Sequence, residues 1–155
     1  MKLIKFNSNT RDEVLLMFYQ SKILKELQTI KPKWAYGPNI KEALQDFNDD
    51  YEIFLVKSVD LIFNAEMYEV STEIVFTGAD INDRRITRIL HRWDNGKFID
   101  PPTISLSNVD SNRISFSDGS HRAKLAYFLE YFQIPVLVYK PDIDAISKIL
   151  KLTLP

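Results

Sequence analysis

The chain has 155 residues, of which 45% are hydrophobic and 12% aromatic, so it is long and apolar enough to bury a core and is not a disordered segment. It contains no cysteine, which excludes disulfides, cysteine zinc sites and a thiol nucleophile. The net charge of −1 gives no general attraction to nucleic acid, and no apolar run approaches the ~18 residues of a membrane span. Because the first residues also lack a secretory signal, we expect a cytoplasmic protein.

The chain predicts one domain over residues 1–155, with a helical extension at 1–50 before a core at about 50–155. Apolar residues near helical spacing predict the first helix. They are Val14, Phe18, Ile23, Leu24 and Leu27. The elements predicted in this half are a strand at 3–6, a helix from Asn9 or Thr10 to Thr29, a turn at 36–39 and a short helix at 42–47.

Strands and helices follow one another in the second half of the sequence. The predicted elements are strands at 53–56 and 66–76, a helix at 80–93, strands at 103–106 and 113–116, a helix at 120–132, a strand at 134–139 and a helix from 142 toward 150. The strand–turn–helix–strand at 113–139 has the length of a βαβ unit, so we expect parallel strands with a right-handed crossover. The predicted fold class is α+β (mixed α/β), with a small mixed sheet and helices in a single domain.

Apolar spacing also predicts which faces of the two core helices are buried. Helix 80–93 is predicted to start at a capping Asp80. Its apolar stripe is Ile81, Ile86, Ile89 and Leu90. Helix 120–132 is predicted to bury Leu125, Phe128, Leu129 and Phe132. On that helix Lys124 and Glu130 are expected to be more exposed to solvent.

Charge is uneven along the chain. The acidic segment 42–52 carries Glu42, Asp46, Asp49, Asp50 and Glu52. It is a candidate surface for a protein partner, although such runs are more often simply solvated. The helix at 80–93 carries Arg84, Arg85, Arg88 and Arg92. The spacing of Arg84, Arg88 and Arg92 can follow a nucleic-acid backbone, but a solvated face is the more usual explanation.

The most informative chemistry lies in the turn from Ser117 to Arg122. Gly119 lets the chain bend and lets a ligand approach the backbone. The helix that begins there leaves free N–H groups and the positive end of its dipole, which together bind anions. Ser117 and Ser120 add hydroxyl donors, and Arg122 adds a planar donor fork.

Two residues of the turn are candidates for proton transfer. His121 can exchange a proton near neutral pH. Asp118 can orient Arg122, bind a metal or act as a base. An ordinary helix cap is the alternative explanation of the whole turn.

The sequence Phe116-Ser-Asp-Gly-Ser-His-Arg122, followed by Ala123-Lys-Leu-Ala126 and Ile134-Pro-Val-Leu-Val138, resembles the ParB/sulfiredoxin-like fold over about residues 101–139. The resemblance implies a nucleotide site, for ATP or CTP with magnesium, whose phosphates lie on the turn. Gly119 and Arg122 match the Gly-x-x-Arg pattern of the family, and His121 matches its Gly-Cys-His-Arg form. Ser120 stands where sulfiredoxin has its catalytic cysteine, which excludes sulfiredoxin chemistry.

The residue types and the resemblance lead to one first hypothesis and two alternatives. The first is a small nucleotide- or phosphate-binding protein, with phosphoryl transfer or nucleotide hydrolysis as its chemistry. Its ligand-binding residues would be Ser117, Gly119, Ser120, His121 and Arg122, and its catalytic residues Asp118 and His121. The alternatives are a non-catalytic interaction protein of the immunity or antitoxin type, using segment 42–52, and a nuclease whose groove is the arginine helix. Few residues follow 139, so we do not expect ParB-type DNA clamping.

Overall fold

The computed structural model describes residues 8–45, 49–67 and 70–155. The strands are β1 Tyr51–Lys57, β2 Thr103–Leu106, β3 Ile114–Asp118 and β4 Gln133–Tyr139. The α-helices are α1 Ser8–Gln20, α2 Leu24–Leu27, α3 Ser58–Asn64, α4 Asp80–Asp94, α5 Ser120–Phe128 and α6 Ile143–Ser147. Two 3₁₀ helices lie at Gly37–Glu42 and Lys140–Asp142. The predicted mixed α/β class is confirmed.

One four-stranded mixed sheet, in the order β1-β4-β2-β3, forms the centre of the fold. β4 pairs antiparallel with β1 along its whole length and parallel with β2 at its end. Ile134, Val136 and Val138 in β4 are fully buried, and Pro135 and Leu137 between them are buried too. An apolar strand of this kind is covered on both faces.

The prediction of parallel strands around the turn at 117–122 is wrong. β3 pairs antiparallel with β2, and β2 lies between β3 and β4, so β3 and β4 run in opposite directions. The reason is a local hairpin, because Ser107 Oγ accepts hydrogen bonds from the backbone N–H groups of Val109 and Asp110. Pairing with the strand next in sequence costs less chain entropy than a longer crossover. Helix α5 then returns the chain to the far side of β2.

The N-terminal predictions are partly wrong. The helix expected up to Thr29 is broken after Gln20, where the Ser21 hydroxyl donates to the Phe18 carbonyl. Leu27 is buried as predicted. The other four predicted apolar positions are exposed, namely Val14, Phe18, Ile23 and Leu24. Tyr19, which the pattern omitted, is buried instead, and its hydroxyl donates to Asp94 of α4.

Two further N-terminal predictions fall partly or wholly outside the described residues. The strand at 3–6 lies outside them. In the helix predicted at 42–47, residues 43–45 are not helical and 46–47 lie outside the described ranges. Helical structure starts earlier, at Gly37, because Pro38 is suited to the first helical position.

Three elements of the core also differ from the predictions. The described residues of 66–76 form no strand, because the Ser71 hydroxyl accepts the Glu73 N–H and turns the chain. Helix α3 was not predicted at all. Helix α5 ends four residues early, since Glu130 adopts a positive φ of 62° and Tyr131 N–H donates to the Ala126 carbonyl, as in a Schellman ending. Phe132 is therefore exposed, as is Ile81 at the start of α4.

The buried core includes Ile86 and Leu90 of α4, Leu125 of α5 and Leu129 just after it, all as predicted. It also includes Trp93, which the apolar stripe omitted. Within the described ranges, no helix is both long and apolar enough to cross a membrane.

Candidate functional site: a basic cavity at the start of α5

A cavity of about 270 Å³ lies at the N-terminus of α5. It is lined by Asp118, Gly119, Ser120, His121 and Arg122 from the predicted turn and by Arg85, Arg88 and Ile89 from α4. Ser117, the remaining candidate in the turn, is exposed on β3 and does not line the cavity. Two features that the sequence placed 30 or more residues apart, the turn and the arginine helix, therefore form one site.

Two features of position 119 require glycine, namely its backbone conformation and its contact with Pro102. Its φ is +89°, and it is the residue immediately before α5. A Cβ at this position would lie 2.8 Å from Pro102 Cα, closer than real Cβ atoms come. Pro102 thus lies where we expected a ligand to approach the backbone of Gly119. No side chain in the described part of the chain caps the amides that follow Gly119, so the first turn of α5 keeps its free N–H groups.

Arg122 is held in a fixed position. Its Nη1 donates to the Asp100 carbonyl at 2.7 Å, and its Nη2 forms an ion pair with Asp118 Oδ2 at 2.6 Å. Of the three roles considered for Asp118, the structure therefore supports that of orienting Arg122. A guanidinium has five N–H donors, so others remain for a ligand, and the fixed side chain loses little entropy on binding.

His121 is buried, with only 8% of its surface exposed. Burial lowers the pKa of His121 to about 4, and the positive charges of Arg85 and Lys124 contribute to the same effect. Its Nε2 has no hydrogen-bond partner in the described residues. At pH 7 the imidazole is therefore neutral, so it is not a cationic partner for a phosphate and is a weak base.

Behind the cavity lies a buried polar network that the sequence analysis missed. Lys124 was expected to be more exposed to solvent, and this prediction is wrong, because the side chain is fully buried. Its Nζ donates to Asn82 Oδ1 at 2.8 Å. Asn82 in turn donates to Asp83, which accepts the backbone N–H groups of Thr77 and Gly78. Burial lowers the pKa of Lys124 to about 8, against the opposing effect of Asp83.

This network ties α5 to α4 and to the segment before α4. A signal for it was present in the sequence, because Asn82 and Asp83 share a helix face with Ile86 and Leu90. Two adjacent polar residues on an otherwise apolar face indicate a buried partner.

The arginines of α4 do not form one solvated face. Arg84 pairs with Asp80 at 2.9 Å, and Arg88 pairs with Asp12 of α1 at 3.1 Å. Arg92 donates to the Phe98 carbonyl. Arg85 is exposed and forms no ion pair with any described residue. The α4 arginines that line the cavity are therefore Arg85 and Arg88. Arg85 does not belong to the series Arg84, Arg88 and Arg92 that the spacing singled out.

The described residues contain no group of three or more potential metal ligands. Among the residues that the structure describes, Asp118 is the single carboxylate that lines the cavity. One or two carboxylates can hold magnesium together with the phosphates of a ligand, and Asp118 would do so only if its ion pair with Arg122 opened.

The acidic segment is exposed at each of its described charges, namely Glu42, Asp49, Asp50 and Glu52. Asp46 lies outside the described residues. Comparison of the chain with protein-family models, curated proteins and solved structures found no match. The resemblance of residues 101–139 to the ParB/sulfiredoxin-like fold therefore stays a prediction.

The burial of His121 predicts how stability depends on pH. Its pKa is 6.5 in a model peptide and about 4 in the folded protein. Between these values the unfolded chain binds a proton that the folded protein does not, so acid favours unfolding. The stabilisation is present above pH 6.5 and is lost as the pH falls through 4, by at most ~3 kcal/mol. Urea unfolding at pH 7, 5.5 and 4 measures this loss.

His121→Asn should flatten that pH dependence, whereas His91→Asn, at the other histidine, should leave it unchanged. Equal pH dependence in the wild type and in His121→Asn would contradict the assignment.

Proposed function

We propose that this protein binds a phosphate-bearing ligand, a nucleotide, with its phosphates in the cavity at the start of α5. The observation that carries the proposal is the meeting of Arg85, Arg88 and Arg122 with the N-terminus of α5. Each of these features attracts an anion by itself. The chain as a whole is close to neutral, with a net charge of −1, so the positive charge at this cavity is local.

The side chains favour phosphate over a carboxylate as the anion. Three guanidiniums and the backbone amides of a helix start can surround an anion with several oxygens, and phosphate offers more acceptors than a carboxylate. The Ser120 hydroxyl, which also lines the cavity, adds one further donor.

Chemistry on the ligand would need a group that accepts a proton. In this conformation Asp118 is ion-paired with Arg122, and His121 is buried with a pKa of about 4. As arranged, the ion pair occupies Asp118, and the low pKa makes His121 a weak base. We therefore propose binding as the function of the folded state described here. Phosphoryl transfer or hydrolysis would require the Asp118–Arg122 pair to open when ligand binds.

Titration calorimetry with ATP, CTP and GTP, each with and without magnesium, tests the proposal. We expect heat of binding and a raised melting temperature with at least one nucleotide, because a ligand that binds the native state stabilises it. The matching nucleosides, which lack phosphate, should bind much more weakly. If no phosphate compound binds, the turn is an ordinary helix start. The interaction-protein alternative, through the exposed acids of segment 42–52, then becomes the better one.

A further inference from the structure

One nitrogen of His121 is left without a partner by the folded chain. The residue is buried, yet it lines the phosphate cavity at the start of α5. Its Nε2 is buried and forms no hydrogen bond with any described residue. Such atoms are uncommon, because leaving a buried polar atom unpaired costs free energy. A ligand in the cavity would supply the missing partner.

The cations around His121 indicate what kind of partner fits. The positive charges of Arg85 in α4 and Lys124 in α5 act on the ring. Arg88 and Arg122 line the same cavity. All four side chains donate hydrogen bonds and accept none. Among donors, a neutral imidazole is best placed with its free lone pair on Nε2, where it accepts a hydrogen bond.

The acids on the neighbouring elements are bound elsewhere or exposed. Asp118, which lines the cavity, is ion-paired with Arg122 at 2.6 Å. Asp83 of α4 accepts two backbone N–H groups. Asp60, the one charged residue of α3, is exposed. A carboxylate beside His121 would raise its pKa, whereas burial and the two cations lower it to about 4. The ring therefore offers an acceptor but holds no second proton.

We propose that His121 is a specificity-determining residue, which selects an oxyanion that brings its own proton, such as hydrogen phosphate, over one that brings none, such as sulfate. The inference rests on the proposed function, since it concerns the anion held in that cavity. Both anions are tetrahedral dianions of similar size. Only hydrogen phosphate has an O–H group, which would donate to Nε2 while its other oxygens accept from the arginines and the helix amides.

The same proton predicts a pH effect for sulfate. Sulfate can pair with Nε2 only if the ring takes up a proton from solution. The ring of the free protein is neutral down to about pH 4, so binding and proton uptake are linked. The sulfate affinity should therefore rise as the pH falls, by up to tenfold for each pH unit. Because sulfate itself does not titrate in this range, the change belongs to the protein.

Titration calorimetry of the full chain at pH 7.5 and constant ionic strength compares the two anions. Phosphate should bind about ten- to a hundredfold more tightly than sulfate, the effect of one charge-assisted hydrogen bond. Between pH 7 and pH 5 the sulfate affinity should rise by about tenfold or more. Its binding heat at pH 6, measured in two buffers of different ionisation enthalpy, should show that a proton is taken up from the buffer.

His121→Asn is the matched variant, because an amide offers both an acceptor and a donor but does not titrate. We expect phosphate and sulfate affinities within about twofold of each other and a sulfate affinity that no longer changes between pH 7 and pH 5. His91→Asn replaces the other histidine, which does not line the cavity, and should keep the wild-type behaviour. The wild-type measurements test the inference even where a variant is unstable.

The outcomes separate the inference from the proposed function. If phosphate and sulfate bind the wild type equally tightly, His121 does not select the anion, while the phosphate site stands. If His121→Asn still takes up a proton with sulfate, another group holds that proton and the inference is wrong. If neither phosphate, sulfate nor pyrophosphate binds, both proposals fail.

Discussion

Replacing Gly119 by alanine is expected to lower the free energy of unfolding by about 2–4 kcal/mol. Two costs combine at this position. The φ of +89° is unfavourable for any residue with a Cβ, and the new Cβ would come 2.8 Å from Pro102 Cα. The contacted atom belongs to the backbone, so it cannot rotate away as a side chain would. Chemical denaturation of the wild type and the variant measures the loss.

Gly78→Ala is the matched control for this variant. Gly78 has a φ of +86°, but no heavy atom lies within 4 Å of its hypothetical Cβ. It should therefore show the cost of the backbone conformation alone, about 1–2 kcal/mol. The difference between the two variants measures the contact with Pro102. Equal losses would mean that the turn before α5 shifts freely, in contradiction to the fixed position described for it.

The double variant Arg85→Ala/Arg88→Ala is expected to weaken pyrophosphate binding by roughly a hundredfold to ten-thousandfold, since each guanidinium is worth about 1.5–3 kcal/mol to an anion. Both side chains line the phosphate cavity. The fold should change little, because the one ion pair lost among the described residues joins Asp12 to an Arg88 side chain that is 63% exposed, and pairs at the surface contribute about 0–1 kcal/mol. Calorimetry at fixed salt measures the affinity.

Arg84→Ala provides a control, because it removes an arginine charge from the same helix. Arg84 pairs with Asp80 and does not line the phosphate cavity. Its loss should change the affinity less than about threefold, because its charge is already paired and makes no contact with the phosphate. If Arg84→Ala weakened binding as much as the double variant, general charge attraction rather than a defined cavity would explain the binding.

Strong local patterns in the sequence predicted much of the fold. The apolar run that forms β4, the strand β1 and the helix α4 all appeared close to their predicted bounds. The direction of β3 relative to β4 could not be predicted, because it depends on which strand lies between them. The end of α5 could not be predicted, because Glu130, rather than a glycine, adopts the left-handed conformation there.

The candidate site was predictable in part for the same reason. The turn at Gly119–Arg122 carries its chemistry within a few consecutive residues, so the sequence alone pointed to it. Its union with Arg85 and Arg88 depends on the packing of α4 against α5, which involves the buried Lys124–Asn82 hydrogen bond. The contact between Arg122 and the Asp100 carbonyl could not be predicted, since only the fold brings the two residues together.

The position of the phosphate is the central claim, and amide NMR of the ¹⁵N-labelled protein during titration with pyrophosphate tests it most directly. The account predicts that the largest shifts occur at the backbone amides of Ser120, His121 and Arg122 and at the side-chain Nε of Arg122. Amides of α6, far along the chain, should move little. Saturable shifts confined to other residues, or no shifts with pyrophosphate in large excess, would contradict it.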